Sequence, residues 1–182
     1  MAIQRIILTY KDYAALPADG HRYEIHEGEL SVTPAPSPQH QRILRNLHDL
    51  VWQHVKTRGL GEVLFAPLDC ILSETTIVQP DLVYLDNARL AALSPRGIEG
   101  PPTLVVEILS PTTTLIDRST KLQLYARHGV PYYWIVDPEA RTIEAYRLSG
   151  GGYQLAGQAV RTQPVSLPPF SDLTLVPASL FE

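Results

Sequence analysis

Two carboxylates in otherwise apolar segments are the residues of this sequence best placed to do chemistry. Asp81 follows Pro80 within an aliphatic run, and Glu107 is the only charged residue in the apolar segment 103–109. Moving an ionised carboxylate out of water costs free energy unless a cation neutralises it. The pair therefore indicates a site for a hard divalent cation and a polarised water, a combination suited to hydrolysis of a phosphodiester.

A lysine downstream completes this candidate site. Asp117, Lys121 and Tyr125 are four residues apart, which places them on one face of the helix predicted over 116–128. That helix follows the Glu107 strand after a short loop. Its first turns can therefore return over the carboxyl end of the strand, where ligands bind in open α/β sheets. We expect the two carboxylates and the lysine to converge on one concave site.

Each of these residues also has a structural interpretation. Taken alone, Asp81 is better explained as a turn-forming carboxylate at the start of a strand. A buried glutamate needs a partner, and Arg118 or Arg127 could pair with Glu107. An Asp–Lys pair on an exposed helix face would contribute only about 0.2–0.5 kcal/mol. These alternatives stay open at the level of sequence.

Composition narrows the class of protein. The chain has 182 residues, of which 45% are hydrophobic, so we expect one domain over 1–182 with a sizeable core. The net charge of −4 argues against an indiscriminate duplex binder, although a local basic stripe can coexist with it. The single cysteine, Cys70, excludes an intrachain disulfide and a cysteine zinc site. We see no secretory signal or bilayer-spanning run, so we expect a cytoplasmic protein with no membrane partner.

Hydrophobic periodicity predicts an α/β fold, with a mixed sheet flanked by two main helices. The central strand should be 103–109, because it is apolar on both faces. Residues 86–100 are expected to form a surface excursion. The predicted helices are 9–16, 38–58 and 116–128, and the predicted strands are 22–26, 29–33, 62–66, 68–72, 77–85, 103–109, 132–136, 141–148, 153–160 and 170–176.

Several short motifs carry a resemblance to a known family. They are YEIHEGEL (23–30), SPQH (37–40), PLD (67–69), QPDL (79–82), VEILS (106–110), DRSTK (117–121) and GVPYYWIVD (129–137). Together they resemble the Uma family of putative restriction endonucleases, from about Tyr10 to Leu148. That family belongs to the PD-(D/E)xK nuclease superfamily, so the resemblance implies a restriction-endonuclease-like fold.

The resemblance also implies roles for individual residues. Asp81 and Glu107 would ligate Mg²⁺, helped by the backbone carbonyl of Ile108, with Mn²⁺ as a substitute. The superfamily lysine should lie two residues after the glutamate, but Leu109 stands there. In the Uma-like pattern the lysine has moved to the following helix, as Lys121, and its long flexible stem makes this delivery sterically reasonable.

The remaining matched positions are assigned auxiliary roles. Glu24, His40 and Asp69 match family positions, and Asp117 and Tyr125 are expected to hold the catalytic lysine in place.

The predicted function is that of a Mg²⁺-dependent endonuclease that hydrolyses DNA, with DNA as the partner and a homodimer as a candidate assembly. Two alternatives stay open. One is a non-catalytic nucleic-acid-binding or scaffold protein on a nuclease fold, which the acidic balance and the displaced lysine favour. The other is a hydrolase of a different phosphoester. Metal-dependent nicking that is lost on mutation of Asp81 would discriminate between them.

Overall fold

Two six-stranded sheets form the framework of the chain. A computed structural model describes residues 6–182, so the first five residues of the predicted domain lie outside the described part. The strands are β1 (Arg22–His26), β2 (Glu29–Thr33), β3 (Gly61–Phe65), β4 (Cys70–Ser73), β5 (Thr76–Val78), β6 (Leu82–Asp86), β7 (Leu93–Ser94), β8 (Gly97–Glu99), β9 (Leu104–Ile108), β10 (Tyr132–Asp137), β11 (Thr142–Ser149) and β12 (Gly152–Val160). The α-helices are α1 (Tyr10–Tyr13), α2 (Pro38–Arg58), α3 (Leu122–Arg127) and α4 (Pro177–Leu180).

Both sheets are mixed. The main sheet has the order β12-β11-β10-β9-β6-β3, with β9 and β10 parallel and its other pairs antiparallel. The second sheet has the order β2-β1-β5-β4-β8-β7, with β4 and β8 parallel. The predicted α/β class with a mixed sheet and flanking helices is confirmed, and β9 is central as expected. The structure corrects the number of sheets from one to two.

The second sheet exists because the chain breaks where one strand was predicted over 77–85. Thr76–Val78 belongs to the second sheet, whereas Leu82–Asp86 belongs to the main sheet. Between them lies Pro80, which has no backbone N–H to continue a ladder. The break carries the chain from one sheet to the other and leaves Asp81 at the start of β6.

Helix α2 covers one face of the main sheet. Its start is capped by Ser37, whose hydroxyl accepts a hydrogen bond from the His40 N–H at 3.2 Å, and Pro38 occupies the first helical position. Gly59 ends the helix in the left-handed conformation, with φ 63°. These were the predicted boundaries. The apolar residues of its buried face are Ile43, Leu44, Leu47, Val51 and Val55, and His40 and His54 are buried as well.

The other face of the main sheet packs against the second sheet and α3. Val83, Val105 and Tyr133 of the main sheet share an apolar cluster with Val78 and Ile98 of the second. The helix predicted over 116–128 differs in its first half, because Ile116–Lys121 is a π-helical segment that continues into α3. Such wider turns are frequent at functional sites.

Two further expectations are corrected. The predicted surface excursion over 86–100 contains β7 and β8, and Ile98 is fully buried because β8 pairs with β4. The segment 170–176 is not a regular strand. It forms one bridge, between Val165 and Leu175, and packs Phe170 onto the core beneath α2. Within residues 6–182, no helix has the length and apolar character needed to cross a membrane.

Candidate active site

The register of the main sheet brings the two predicted carboxylates together. Strands β6 and β9 are antiparallel, with Leu82 opposite Val106. Continuing that register by one residue places Asp81 opposite Glu107, so both side chains emerge on the same face. Both are buried, with 2% and 1% of their surface exposed. Two carboxylates separated by 26 residues in sequence thus become neighbours across one strand pair.

Three groups hold Asp81. The backbone N–H of Ile108 donates to its Oδ2 at 2.8 Å, and His40 Nε2 lies 3.0 Å from the same oxygen. The guanidinium of Arg22 contacts Oδ1 at 3.2 Å. Burial opposes ionisation of Asp81, but these three partners outweigh it and lower the pKa of Asp81 below its ordinary value. Asp81 is therefore an ionised carboxylate with a fixed orientation.

Glu107 is held from the neighbouring helix. Lys121 Nζ lies 2.9 Å from its Oε1, and the Tyr125 hydroxyl donates to the same oxygen at 2.7 Å. The structural alternative, a partner arginine, is not what the structure contains. Arg118 pairs with Glu144 and Asp137. Arg127 pairs with Glu27.

Lys121 is itself buried, with 3% of its surface exposed, and is surrounded by carboxylates. Besides Glu107 it contacts Glu24 Oε2 at 3.2 Å and Asp117 Oδ1 at 3.7 Å. Burial opposes its charge, but the three carboxylates outweigh this and raise the pKa of Lys121. The ammonium group is therefore permanently charged. Tyr125, expected to hold the lysine, instead contacts Glu107.

These residues line one small cavity. It has a volume of about 60 Å³, enough to hold water molecules among polar partners. Its polar lining includes Arg22, His40, Asp81, Glu107, Thr112, Thr113, Asp117 and Lys121. The structure thus brings the three predicted catalytic residues to one concave site.

The cluster carries an excess of negative charge. Asp81, Glu107, Glu24 and Asp117 face two permanent cations, which leaves a formal charge of −2 with the histidines neutral. The consequence falls on Glu107. Burial raises the pKa of Glu107 to about 8, and the charges of Asp81, Asp117 and Glu24 add to the rise while Lys121 opposes it. One carboxylate therefore keeps its proton at neutral pH unless another cation enters.

The residues present fit a small divalent cation. Mg²⁺ takes oxygen ligands and is commonly held by one or two carboxylates plus waters. Both contacts to Glu107 go to Oε1, which leaves Oε2 for a ligand. Asp117 Oδ1 is buried without a hydrogen-bond partner. Within the described residues 6–182, no three His, Cys, Asp or Glu side chains form a preassembled metal cluster, so a cation held here would depend on individual carboxylates and on water.

Three predicted site residues, Glu24, Tyr125 and Asp69, do not line the cavity. Glu24 and Tyr125 contact lining residues directly, whereas Asp69 lies further away. It accepts hydrogen bonds from the Tyr13 hydroxyl at 2.6 Å and from the Gln79 amide at 2.8 Å. The backbone N–H of Gln79 in turn donates to Glu24 Oε1 at 2.7 Å. Asp69 therefore touches the site only through Gln79, as a positioning residue for Glu24. Of the other auxiliary candidates, Glu24 directly contacts Lys121 and His40 directly contacts Asp81.

Sequence reasoning missed Arg22. Besides Asp81, its guanidinium lies 3.9 Å from Glu24, and it lines the cavity. A signal was available, because Arg22 and Glu24 are two residues apart in a predicted strand and so share a face. The pairing with Asp81 could not be read from the sequence, since 59 residues separate the two.

Comparison with known proteins supports this description of the fold. A crystal structure of a putative nuclease belonging to DUF820 from Anabaena variabilis ATCC 29413 matches with a TM-score of 0.78 and 22% sequence identity, covering 96% of this chain and 97% of that chain. At that identity the likeness shows the fold alone. A search of curated proteins gave no match. The family model described as putative restriction endonuclease matches residues 10–178, and the chain therefore belongs to the Uma2 family.

Proposed function

We propose that this chain is a divalent-metal-dependent endonuclease that hydrolyses phosphodiester bonds in DNA. The observation that carries the proposal is the convergence of Asp81, Glu107 and Lys121 on one buried, negatively charged cavity. Membership of the Uma2 family supports the reaction class. The metal and the DNA substrate are part of the proposal.

Asp81, Glu107 and the backbone carbonyl of Ile108 would hold Mg²⁺, with Mn²⁺ as a substitute. A bound divalent cation lowers the pKa of water and offsets charge that develops on the phosphate. The chain's own contribution is to fix the ligands. The N–H of Ile108 and His40 orient Asp81, and Tyr125 orients Glu107.

Lys121 would stabilise negative charge on the phosphate, since its ammonium group is charged and held in place before substrate binds. Packing explains why the lysine lies on the helix and not at position 109. Leu109, at the position where the superfamily has its lysine, is only 5% exposed and belongs to the apolar cluster between the two sheets. An amine at that position would have to be buried in that cluster. From the helix, Nζ lies 2.9 Å from Glu107 Oε1.

The proposal treats residues 1–182 as one restriction-endonuclease-like domain. One apolar cluster joins the two sheets through Val78 and Ile98 on one side and Val105 and Tyr133 on the other. Glu24 of the second sheet also contacts Lys121 beside the main sheet. The site would therefore be incomplete if either sheet folded without the other.

The test is a cleavage assay on supercoiled plasmid, linear duplex and single-stranded DNA. Mg²⁺ or Mn²⁺ should convert plasmid to nicked or linear product, and chelation should stop this. Asp81→Asn should abolish cleavage. Asp172→Asn is the matched control, because Asp172 is an exposed carboxylate paired with Arg58, and it should cleave like the parent chain. Cleavage that survives in Asp81→Asn would overturn the proposal.

One observation favours a second candidate, a non-catalytic nucleic-acid-binding protein on a nuclease fold. Arg22 and Lys121 already pair with Asp81 and Glu107, as in a purely structural ionic cluster. In that case the same assay gives no product with either metal, while the parent chain still retards DNA on a gel.

A further inference from the structure

A stripe of basic and aromatic side chains runs along the exposed face of α2. Successive members are three or four residues apart, so they share one side of the helix, next to the face that packs on the main sheet. The stripe consists of Gln41, Arg45, His48, Trp52 and Lys56. Phe65, at the end of edge strand β3, lies beside it. We call this set the α2 stripe.

The aromatic members are unusually open. Phe65 is 52% exposed and Trp52 is 37% exposed, although burial of aromatic surface normally stabilises the folded state. His48 packs edge-on against Phe65, with ring centroids 4.7 Å apart, and stacks near Trp52 at 6.3 Å. Lys56 Nζ lies 4.2 Å from the Trp52 ring centroid. The rings are therefore held in defined orientations with exposed surface.

The α2 stripe is continuous with the candidate active site. A groove of about 390 Å³ is lined by Arg22, His40 and Asp81 of the site and, further along, by Gln41 and Leu44. Gln41 and Leu44 also line a second groove, of about 330 Å³, which extends to Arg45, His48 and Phe65. The two grooves therefore adjoin at Gln41 and Leu44, and together they extend from residues of the cavity to Phe65.

Length and charge identify the occupant. From His40 to Trp52 the helix rises about 18 Å, the span of about five stacked nucleotides. Arg45 and Lys56 supply positive charge along the α2 stripe. Among the described residues that line the second groove, Asp49 is the one with a carboxylate. The stripe is thus locally basic on a chain of net charge −4. A basic path with exposed rings suits a nucleic-acid strand whose bases are unpaired, because base faces in a duplex are covered by their neighbours.

We propose that the α2 stripe binds an unpaired DNA strand next to the scissile phosphate. Phe65 stacks on a base, and Arg45 and Lys56 contact phosphates. The inference rests on the proposed endonuclease function and specifies its substrate class as DNA with a single-stranded segment, such as a flap, gap or open end. Binding is testable without cleavage, so the two proposals can fail separately.

The experiment measures binding of a 15-nucleotide single-stranded DNA and of the matching duplex in EDTA, where metal-dependent cleavage is stopped. The single strand should bind more tightly than the duplex. Phe65→Ala should weaken single-strand binding by about 5- to 150-fold, the loss measured when a stacking ring is removed. Leu155→Ala is the matched control, because Leu155 is 57% exposed on the strand at the opposite edge of the main sheet, and its affinity should be unchanged.

Tryptophan fluorescence gives a second readout that does not depend on affinity. Trp134 is fully buried and its indole N–H donates to the Pro168 carbonyl at 2.7 Å, so Trp52 is the tryptophan that DNA can reach. Saturating single-stranded DNA should quench the emission, and Trp52→Phe should lose the quench. Lys56→Gln should lower the slope of log affinity against log salt by about 0.7.

Tighter binding of duplex than of single strand, or parental affinity in Phe65→Ala, would overturn the inference. If the single strand binds as expected but no DNA is cleaved with metal, the endonuclease proposal fails and the binding site stands. If DNA is cleaved but Phe65→Ala binds the single strand as tightly as the parent chain, the endonuclease proposal stands and the α2 stripe proposal fails. Thermal midpoints of Phe65→Ala and Leu155→Ala close to that of the parent chain show that both variants are folded.

Discussion

The two faces of β9 solve the problem of burial in opposite ways. Leu104, Val106 and Ile108 point towards α2 and belong to a predominantly apolar core cluster. On the other face the alternation places Glu107 between Val105 and Leu109. All of these residues are at least 95% buried. One strand therefore carries an ordinary hydrophobic core and an ionic cluster back to back.

The two faces differ in how far their stability depends on charged partners, pH and ions. Apolar packing is roughly proportional to buried area and does not depend on pH or ions. A buried ionic cluster depends on matched partners, because removal of one charge leaves the others unpaired in a poorly solvating environment. Burial of charge on the face with Glu107 is thus unfavourable unless every group is paired, and this is the face that carries the candidate active site. We therefore expect changes in charge, metal and pH to affect the stability contributed by the Glu107 face but not that contributed by the apolar face.

The largest effect should come from the buried lysine. Lys121→Met should lower the free energy of unfolding by about 3–5 kcal/mol in metal-free protein, because it removes the buried cation that contacts Glu107, Glu24 and Asp117. Adding Glu107→Gln should recover a large part of the loss. Urea unfolding measures both.

Arg118→Met is the matched control for this prediction. Arg118 belongs to the same π-helical segment, but its side chain is 33% exposed in its pairs with Asp137 and Glu144. Its loss should cost at most about 1 kcal/mol. Equal costs for Lys121→Met and Arg118→Met would show that the buried cluster behaves like a surface pair.

A divalent metal should stabilise the protein only through the face of β9 that carries Glu107. At a hundredfold excess over the dissociation constant, Mn²⁺ should add about 2.7 kcal/mol to the stability of the folded state. The physical reason is the formal charge of −2 in the cluster. Thermal melts of chelator-treated protein measure the shift, which Asp81→Asn should lose. An unchanged midpoint in the parent chain at millimolar Mn²⁺ would count against a metal site.

The pH dependence should come from Glu107. Its pKa is raised from 4.5 to about 8, so between these values the folded chain keeps a proton that the unfolded chain has lost. The free energy of unfolding of metal-free protein should therefore fall as pH rises through this window, by up to about 1.4 kcal/mol per pH unit. Asp117, whose pKa is also raised, acts in the same direction.

The lowered carboxyl pKa values do not disturb that window, whereas the lowered pKa of His128 adds an opposite slope just below its ordinary value of 6.5. Glu24 and Asp81 have lowered pKa values, so their contributions are complete above their ordinary pKa and are lost only in more acidic solution. Denaturant melts from pH 5 to 8 provide the measurement, and Glu107→Gln should give a flatter profile. A parent profile that rises with pH would contradict the assignment.

The smallest effect should come from the apolar face. Ile43→Val, in the buried stripe of α2, removes one methylene group and should cost about 0.5–1.5 kcal/mol. The loss should be the same at pH 5 and pH 8 and with or without Mn²⁺, because the substitution removes no charged or polar group. A cost that varied with metal would mean that the two faces of the sheet are coupled.

The elements that sequence reasoning predicted correctly are those with complete local signals. The hairpin of β1 and β2 turns at Glu27 and Gly28, which both have positive φ, and its strand boundaries were predicted to the residue. Helix α2 was likewise defined by Ser37, Pro38 and Gly59. In each case the turn or cap is made by residues adjacent in sequence, so its energy does not depend on distant parts of the chain.

The errors arose where a distant partner decides the outcome. Segment 77–85 reads as one aliphatic strand, but its two halves pair with different neighbours. Ile98 is buried only because β8 pairs with β4 across the second sheet. Apolar character predicts that such segments are buried without specifying which sheet buries them.

For the candidate site, the sequence by itself determined the chemistry that is available: two carboxylates in apolar segments, a lysine on the following helix, and membership of a family. Only the tertiary structure decided their partners. Glu24 reaches Lys121 across 97 residues, and Arg22 reaches Asp81 across 59. Side-chain types follow from the chain alone, but the charge environment of a buried group depends on every element packed against it, and that is set by sheet register and helix placement.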